Sequence, residues 1–425
     1  MNLVLRRCRE LLHWQAGWVA VLAAMTLTWI GIHAIETADM AAHMRANNLA
    51  VSPTSHRTVG AVTVRTNWFS DRQLVWVAIS MVGFAVCLLP HPRQIGLAAP
   101  ILFAATLALL VLLIAPGVPE SIVRPINGAR SWINLRVMNV QPSELAKITA
   151  VLALAWYLRY RSSHRAVRGL IVPFLIMFVP VMLILRQPDL GTALLFAPAL
   201  LAMLVAAGAK MRHLAAVLFL AVAAVAVNVA VIFMLPDSMQ ILRRHQRGRI
   251  KAIVSHAQGD PRYDNTINYQ KRKAMTLIGS GGVLGYGSQR SATMVRFNRL
   301  PYDHNDMIFA LIVNRWGALG GLATIGLFGV LVLSIVVVAS RARDPFMRLT
   351  LVGFAATLFS QAAINIAITL GLMPVTGITL PFVSYGGSSL LTSFATMGLV
   401  VNIGSRRSMR IARPSFEYDV LPELG

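Results

Sequence analysis

The sequence predicts an all-α polytopic membrane protein of about ten transmembrane helices, with a large extracytoplasmic loop between spans seven and eight. Three observations carry this. Of 425 residues 56% are hydrophobic and 13% charged. Apolar runs near the roughly twenty residues that a bilayer core asks of a helix recur along the chain. Cations gather in alternate short loops. Such a chain is not a string of soluble domains. Its formal charge of +23 does not mark a nucleic-acid binder, because the cations lie in inter-span loops rather than on one basic face or in an aromatic-interleaved patch.

The first span, 15–35, follows Arg6, Arg7 and Arg9. Its apolar run from Trp18 to Ile35 is too long for a signal-peptide core and ends in Glu36-Thr37-Ala38-Asp39 without a clear cleavage site. It reads as an uncleaved span with a cytoplasmic N-terminus. Residues 36–71 read as an outer loop, rich in Ser and Thr and without a clear period. Spans follow at 72–90, 97–116, 143–160, 168–185, 190–208 and 213–235, then at 317–340, 347–370 and 386–404. This threading makes every inner loop basic: Arg93; then Arg159, Arg161, Arg165 and Arg168; then Lys210 and Arg212; then Arg341, Arg343 and Arg348; then Arg406, Arg407 and Arg410. The tail, 405–425, falls in the cytoplasm. Cys8 precedes the first span and Cys87 lies within or near the second, so they make no disulfide framework.

The interval 236–309 falls outside. It carries Arg243, Arg244, Arg247, Arg249, Lys251, Arg262, Lys271, Arg272, Lys273, Arg290, Arg296 and Arg299 against Asp237, Asp260, Asp264, Asp303 and Asp306. Long loops translocate largely regardless of charge, so topology does not explain these cations. An anionic, phosphate-bearing ligand does. The interval closes on Asp303-His304-Asn305-Asp306-Met307-Ile308-Phe309, placing carboxylates and an imidazole where the chain turns apolar. From Asp306 to Ser340 the segment is too long for one perpendicular span. Asn314 and Arg315 therefore belong at the outer interface or in a water-filled cavity, with the true span beginning near Gly317.

Polar residues beside spans are costly and informative. Gln141-Pro142-Ser143-Glu144 opens the fourth span, and Glu144 shares a helix face with Lys147. Two readings stay open, a helix-start ion pair and a charged wall of an outward-opening cavity. Arg130, beside the interfacial Trp132, is fit to pair with a phosphate. Asp189, in the turn Arg186-Gln187-Pro188-Asp189, either caps the sixth helix or orients cations. The cluster Gly279-Ser280-Gly281-Gly282-Val283-Leu284-Gly285-Tyr286-Gly287 fits no dinucleotide or phosphate-loop pattern. The outer stretch from Gly371 to Ser389 is richer in Pro, Gly and Ser than a plain hairpin requires, and non-helical backbone at this depth needs protein or a water-filled cavity around it. No metal-ligand spacing occurs among the histidines or cysteines.

Together these motifs resemble the SEDS (shape, elongation, division and sporulation) family, which includes RodA and FtsW. The likeness covers about 70–405. It is carried by Gly128-Ala129-Arg130-Ser131-Trp132-Ile133, Gln141 to Glu144 with Lys147, Gln187 to Thr192, Tyr269-Gln270 with Ile278 to Gly282, His304 to Phe309, and Pro374 to Ser389. The resemblance implies one membrane domain over 1–425, in the cytoplasmic membrane with both termini inside. It implies a peptidoglycan glycosyltransferase of elongation or division that polymerises lipid II on the outer face, with a class B penicillin-binding protein as partner. The family's essential aspartate maps onto Asp306, with Glu144, Lys147 and Asp189 at its other polar cavity positions. Lys273, His304, Ser384 and Ser388 fall within or beside matching motifs and join Arg130 as substrate-binding candidates. Asn305 and Met307 stand where threonine and phenylalanine are usual, Lys273-Ala274 where many members have Gln-Ser, and Asn314-Arg315 where they have an acidic pair.

The residues support that chemistry. Transfer from a lipid diphosphate needs a base at the acceptor hydroxyl and positive charge at the leaving group, which one carboxylate and the cations supply. Asp306 is the expected base; capping of the following helix is its alternative role. A divalent cation, magnesium or manganese, is compatible with a diphosphate, although the sequence shows no ligand set for one. A lipid-linked precursor flippase is the alternative class, since charges and broken helices also mark transport paths. It would spread polar residues through the bilayer depth, whereas here they cluster at outer span ends. Another outer-face glycan polymerase or ligase, and a scaffold for the partner, also remain open.

Overall fold

The computed structural model describes residues 2–50, 68–119, 121, 123, 130–134, 139–161, 166–216, 218, 219, 223, 269–298 and 305–405. Twelve helices are laid down among them: α1 (Asn2–Ala50), α2 (Trp68–Leu88), α3 (Pro92–Ile114), α4 (Pro142–Leu158), α5 (Ile171–Arg186), α6 (Leu190–Leu194), α7 (Phe196–Ala206), α8 (Tyr269–Ser280), α9 (Gly287–Asn298), α10 (Ile308–Arg341), α11 (Pro345–Thr369) and α12 (Gly387–Ser405). A two-stranded antiparallel hairpin, β1 (Ile133–Asn134) and β2 (Asn139–Val140), pairs Ile133 with Val140 and leads into α4.

Seven of the described helices are long and apolar enough to cross a bilayer, spanning Ala16–Arg45, Trp68–Leu88, Pro92–Ile114, Arg168–Arg186, Ile308–Arg341, Pro345–Thr369 and Gly387–Ser405. The fourth predicted span is α4, one turn shorter than a full crossing, and the sixth is the apolar stretch Leu190–Ala206, broken between α6 and α7. Most of the seventh, 213–235, lies outside the described residues, as do 236–268 of the loop and the tail beyond 405.

Burial separates a centre from a rim. The spans of α11 and α12 are 61% and 72% buried, against 11% and 22% for α2 and α3. On α2 the buried residues are Ser70, Gln73 and Ser80, while Val75, Val82 and Val86 face outward. A helix whose apolar side looks away from the protein is one solvated by lipid tails. α4 packs on α3 and α11, α11 on α7 and α10, α12 on α2, and α1 on α10 and α9.

Two expectations are corrected. Residues 36–50 are not loop, because α1 continues through them to Ala50. Their polar groups serve other helices: the buried Asp39 accepts from the amides of Phe69 (3.2 Å) and Ser70 (2.9 Å) and from the Ser70 hydroxyl (2.9 Å), satisfying amides that the first turn of α2 leaves without helical partners. Residues 269–298 of the predicted loop are two helices, α8 and α9, packed on α10.

The anticipated break in the eighth span is present. Gly317 has φ 72° and ψ −170° within α10, a conformation that glycine alone adopts readily. The glycine-rich turn after α8 lies against it. Ala318 donates to Gly282 O (2.9 Å), Leu319 to Val283 O (3.3 Å) and Tyr286 to Asn314 O (3.1 Å), so backbone groups at the break are not left bare. Asn314, fully buried, donates to Leu277 O (3.0 Å) and Ser280 Oγ (2.9 Å) and accepts from Ser291 Oγ (2.7 Å), joining α8, α9 and α10. Arg315 donates to His33 O and Thr37 Oγ1 on α1.

Close helix approach at small residues replaces the hydrophobic drive that lipid removes. A Cβ on Gly398 of α12 would stand 2.5 Å from Phe84 O and 2.8 Å from Cys87 Cβ on α2, and Asn402 one turn on donates to Cys87 O (2.9 Å) and Pro90 O (2.8 Å). Gly398→Ala should therefore part the two helices and destabilise the protein by about 1–3 kcal/mol. Melting in detergent checks this, with Gly326→Ala, whose Cβ would meet nothing within 4 Å, expected to melt no lower than wild type.

Candidate functional site

Asp306 sits half-buried in the turn that leads into α10. The N-cap of that helix is Met307, without a side-chain capping bond. Two segments, α11 and the loop 371–386, fix the turn. The Asn365 amide on α11 donates to Asp306 O (2.9 Å) and to Ile378 O (2.6 Å), and the Ser384 hydroxyl donates to Asn305 O (2.6 Å) while accepting from Leu380 N (2.8 Å). One Asp306 carboxylate oxygen lies 3.8 Å from where a Cβ on Gly377 would be, so the carboxylate faces the loop 371–386.

That loop is anchored from every side. Gln361 of α11 donates to Thr379 O (3.0 Å), Thr379 shares a hydrogen bond with Ser389 of α12 (2.9 Å), and Gln73 of α2 donates to Ser384 O (3.2 Å). Gly31 of α1 approaches so closely that a Cβ there would meet Val383 O at 2.3 Å. Phe382 holds a left-handed φ of 65° although its ring is buried against Phe394. Strain of this kind persists only where the surroundings fix it.

Beneath the loop lies a buried ion pair. Lys147 Nζ is 2.9 Å from Glu144 Oε1 and donates to Gln361 Oε1 (2.9 Å), and Glu144 Oε2 accepts from Thr392 Oγ1 (2.9 Å). One chain of hydrogen bonds thus links α4, α11, α12 and the loop. A cavity of about 20 Å³, room for a single water, opens beside the pair and is lined in part by Phe354, Thr357 and Thr396.

Asp189 occupies a second network. It caps α6 by accepting from Thr192 N (3.0 Å) and Thr192 Oγ1 (2.7 Å), and it also takes Gln141 Nε2 (3.0 Å) and Ser143 Oγ (3.3 Å) at the start of α4. Ser388 donates to Asn139 O (2.9 Å) and accepts from Gln141 N (3.1 Å), holding the hairpin to α12. The Arg130 guanidinium donates to Val118 O (2.9 Å). Lys273 lies over the Tyr269 ring at 5.5 Å. His304 and the cations of 243–262 fall outside the described residues. Among the described residues no three His, Cys, Asp or Glu gather to hold a metal.

Sequence reasoning passed over Gln361, Asn365 and Thr392. The signal was available, since Gln361 and Asn365 lie four apart on one face of an apolar helix, where polar groups are costly.

The FTSW_RODA_SPOVE family model, described as cell cycle protein, matches residues 41–409. The chain belongs to this family. Among the family's curated members, the probable peptidoglycan glycosyltransferase FtsW of Halomonas elongata is 31% identical over 428 residues, 97% of each chain. The peptidoglycan glycosyltransferase MrdB of Escherichia coli K12 is 30% identical over 340 residues, 80% of this chain and 86% of its own. A solved structure of a peptidoglycan synthase complex, described as coordinating polymerization and crosslinking, superposes with TM-score 0.69 at 28% identity, covering 91% of this chain and 97% of the other. Thermus thermophilus RodA, a rod shape determining protein, superposes with TM-score 0.57 at 25% identity over 91% and 96%. The motif resemblance and the multi-pass membrane architecture are thereby borne out.

Removing one partner of a buried pair strands the other charge. Lys147→Ala should cost about 3–5 kcal/mol, and Lys147→Met combined with Glu144→Gln should recover most of it. Unfolding in detergent checks this; equal stability of the two variants would contradict the buried network.

Proposed function

We propose that this chain is a peptidoglycan glycosyltransferase that polymerises lipid II by inverting transfer on the outer face of the cytoplasmic membrane, with both termini in the cytoplasm. The observation that carries the reading is Asp306, a half-buried carboxylate whose backbone is held by Asn365 and whose neighbour is held by Ser384. Around it Asn305 Oδ1, Asn365 Oδ1 and Thr376 Oγ1 are buried without a hydrogen-bond partner in the described structure. Buried oxygens of this kind call for donors. The relatives that match this chain over most of its length bear the name of peptidoglycan glycosyltransferase.

In the proposed step Asp306 takes the proton from the acceptor's 4-hydroxyl as that oxygen bonds to the donor's anomeric carbon from the face opposite the leaving group. The bond from that carbon to the diphosphate oxygen breaks, and the lipid diphosphate leaves with its electron pair. A diphosphate needs no general acid to depart, so one carboxylate is enough. The basic residues of 243–299, with Arg130, are the proposed counter-charge to the diphosphate. Glu144, Lys147, Asp189, Ser384 and Ser388 fix the walls that present the carboxylate. The partner we propose is a class B penicillin-binding protein, a transpeptidase that crosslinks the strands. A synthase complex of matching fold supports that pairing.

Purified protein given lipid II, with its partner, should make glycan polymer. Asp306→Asn should lower the rate by about 10²–10⁴, the usual worth of a positioned base, without lowering the melting temperature appreciably. Polymer formed at the wild-type rate by Asp306→Asn would remove the assignment, and lipid translocation without polymer would replace it with transport.

A further inference from the structure

Lys271 lies on the buried face of α8 with Ala274 and Leu277, and only 7% of it is exposed. Among the described residues its ammonium has no hydrogen-bond or ion-pair partner. No Asp or Glu occurs between 269 and 298 to offset it. Its Cε lies 2.9 Å from where a Cβ on Gly371 would stand, so the side chain runs to the point where α11 ends and the loop 371–386 begins.

A lysine at a helix C-terminus is ordinarily explained by unpaired carbonyls and the helix dipole. Here the carbonyls of Ile366, Ala367 and Ile368 already accept from Leu370, Gly371, Leu372 and Met373. The stem is buried while the ammonium keeps its donors free. Burial holds the Lys271 ammonium below the usual lysine range. Gly371 is six residues beyond Asn365, about 9 Å of helical rise, and Asn365 carries the Asp306 turn. A cation beside the end of α11, the helix that also carries the Asp306 turn, suits a substrate that joins a sugar to a charged linker.

We infer that Lys271 grips a phosphate of the lipid-linked diphosphate substrate. The substrate's identity rests on the glycosyltransferase reading; recognition of the anion does not.

The test is binding of a fluorescent polyprenyl diphosphate to the full-length protein in nanodiscs, with the matching polyprenyl alcohol as control. Lys271→Met should bind the diphosphate about tenfold to a hundredfold more weakly, the loss of one charge-assisted hydrogen bond, and the alcohol equally well; Lys271→Arg should retain most of the affinity. In turnover kcat/KM should fall by at least the same factor, because the phosphate gains charge as it leaves. Wild-type affinity should fall as the lysine loses its proton below the usual value of about 10.4, whereas the Met variant should be flat over that range. The sign for stability is opposite to that of an ion pair. A lowered lysine pKa means the ammonium weakens the fold at neutral pH, so Lys271→Met should melt higher than wild type, with the gain fading as pH nears about 10.4. Equal affinity of wild type and Lys271→Met for the diphosphate, or equal losses for diphosphate and alcohol, would overturn the assignment. A selective loss in a protein that makes no polymer would leave Lys271 its anion and overturn the glycosyltransferase reading instead.

Discussion

The ammonium of Lys147, set between a carboxylate from its own helix and an amide oxygen from α11, is the joint on which the site's geometry depends. It has no exposed surroundings to fall back on, so it accepts one arrangement of α4, α11 and α12 and disfavours others. Buried ion pairs are weak contributors to net stability but can specify an arrangement, and here that arrangement reaches the Asp306 turn in two steps. Gln361 passes the constraint from the ammonium to the Thr379 carbonyl, and Asn365, one helical turn further, passes it to Asp306 and Ile378. The loop 371–386 is consequently anchored at Ile378, Thr379 and Ser384, and the backbone of the Asp306 turn is held through its carbonyls.

The second support comes from the broken helix. Because Gly317 turns the chain, the first two and a half turns of α10 pack with α8 and α9, and the apolar remainder continues beyond the break. Asn314 and Arg315, unusual where the family tends to be acidic, are both accounted for. Asn314 fills a neutral hydrogen-bonding socket between three helices, and Arg315 reaches across to His33 and Thr37 on α1 and rests on Trp316. Among the described residues the Arg315 guanidinium is turned to α1.

The sequence made the membrane class, most spans and the segments of the site legible, because each rests on a local signal: apolar run length, basic loops, and polar residues where lipid would penalise them. The break near Gly317 was legible from length alone. What escaped depended on partners distant in sequence. Residues 36–50 read as loop because Thr37 and Asp39 break the apolar run, yet both are buried against other helices. The two-residue strands of the hairpin are too short to show a period. The burial of Lys271 was concealed among eleven other cations of the same interval, although its spacing from Ala274 and Leu277 repeats with the helix. Asp189 illustrates a choice that local reasoning left open between capping and orienting cations: the described contacts show the cap, with the neutral Gln141 and Ser143 as its other donors.

The carboxylate of Asp39 has a bearing on biogenesis. α2 emerges with amides at its leading end that lipid cannot satisfy, and the group that receives them belongs to the preceding helix, thirty residues earlier. Neither is comfortable in hydrocarbon alone: one would carry a naked anion, the other bare donors. The two ends complete each other's hydrogen bonding, so neither helix reaches its final environment before the other is in place.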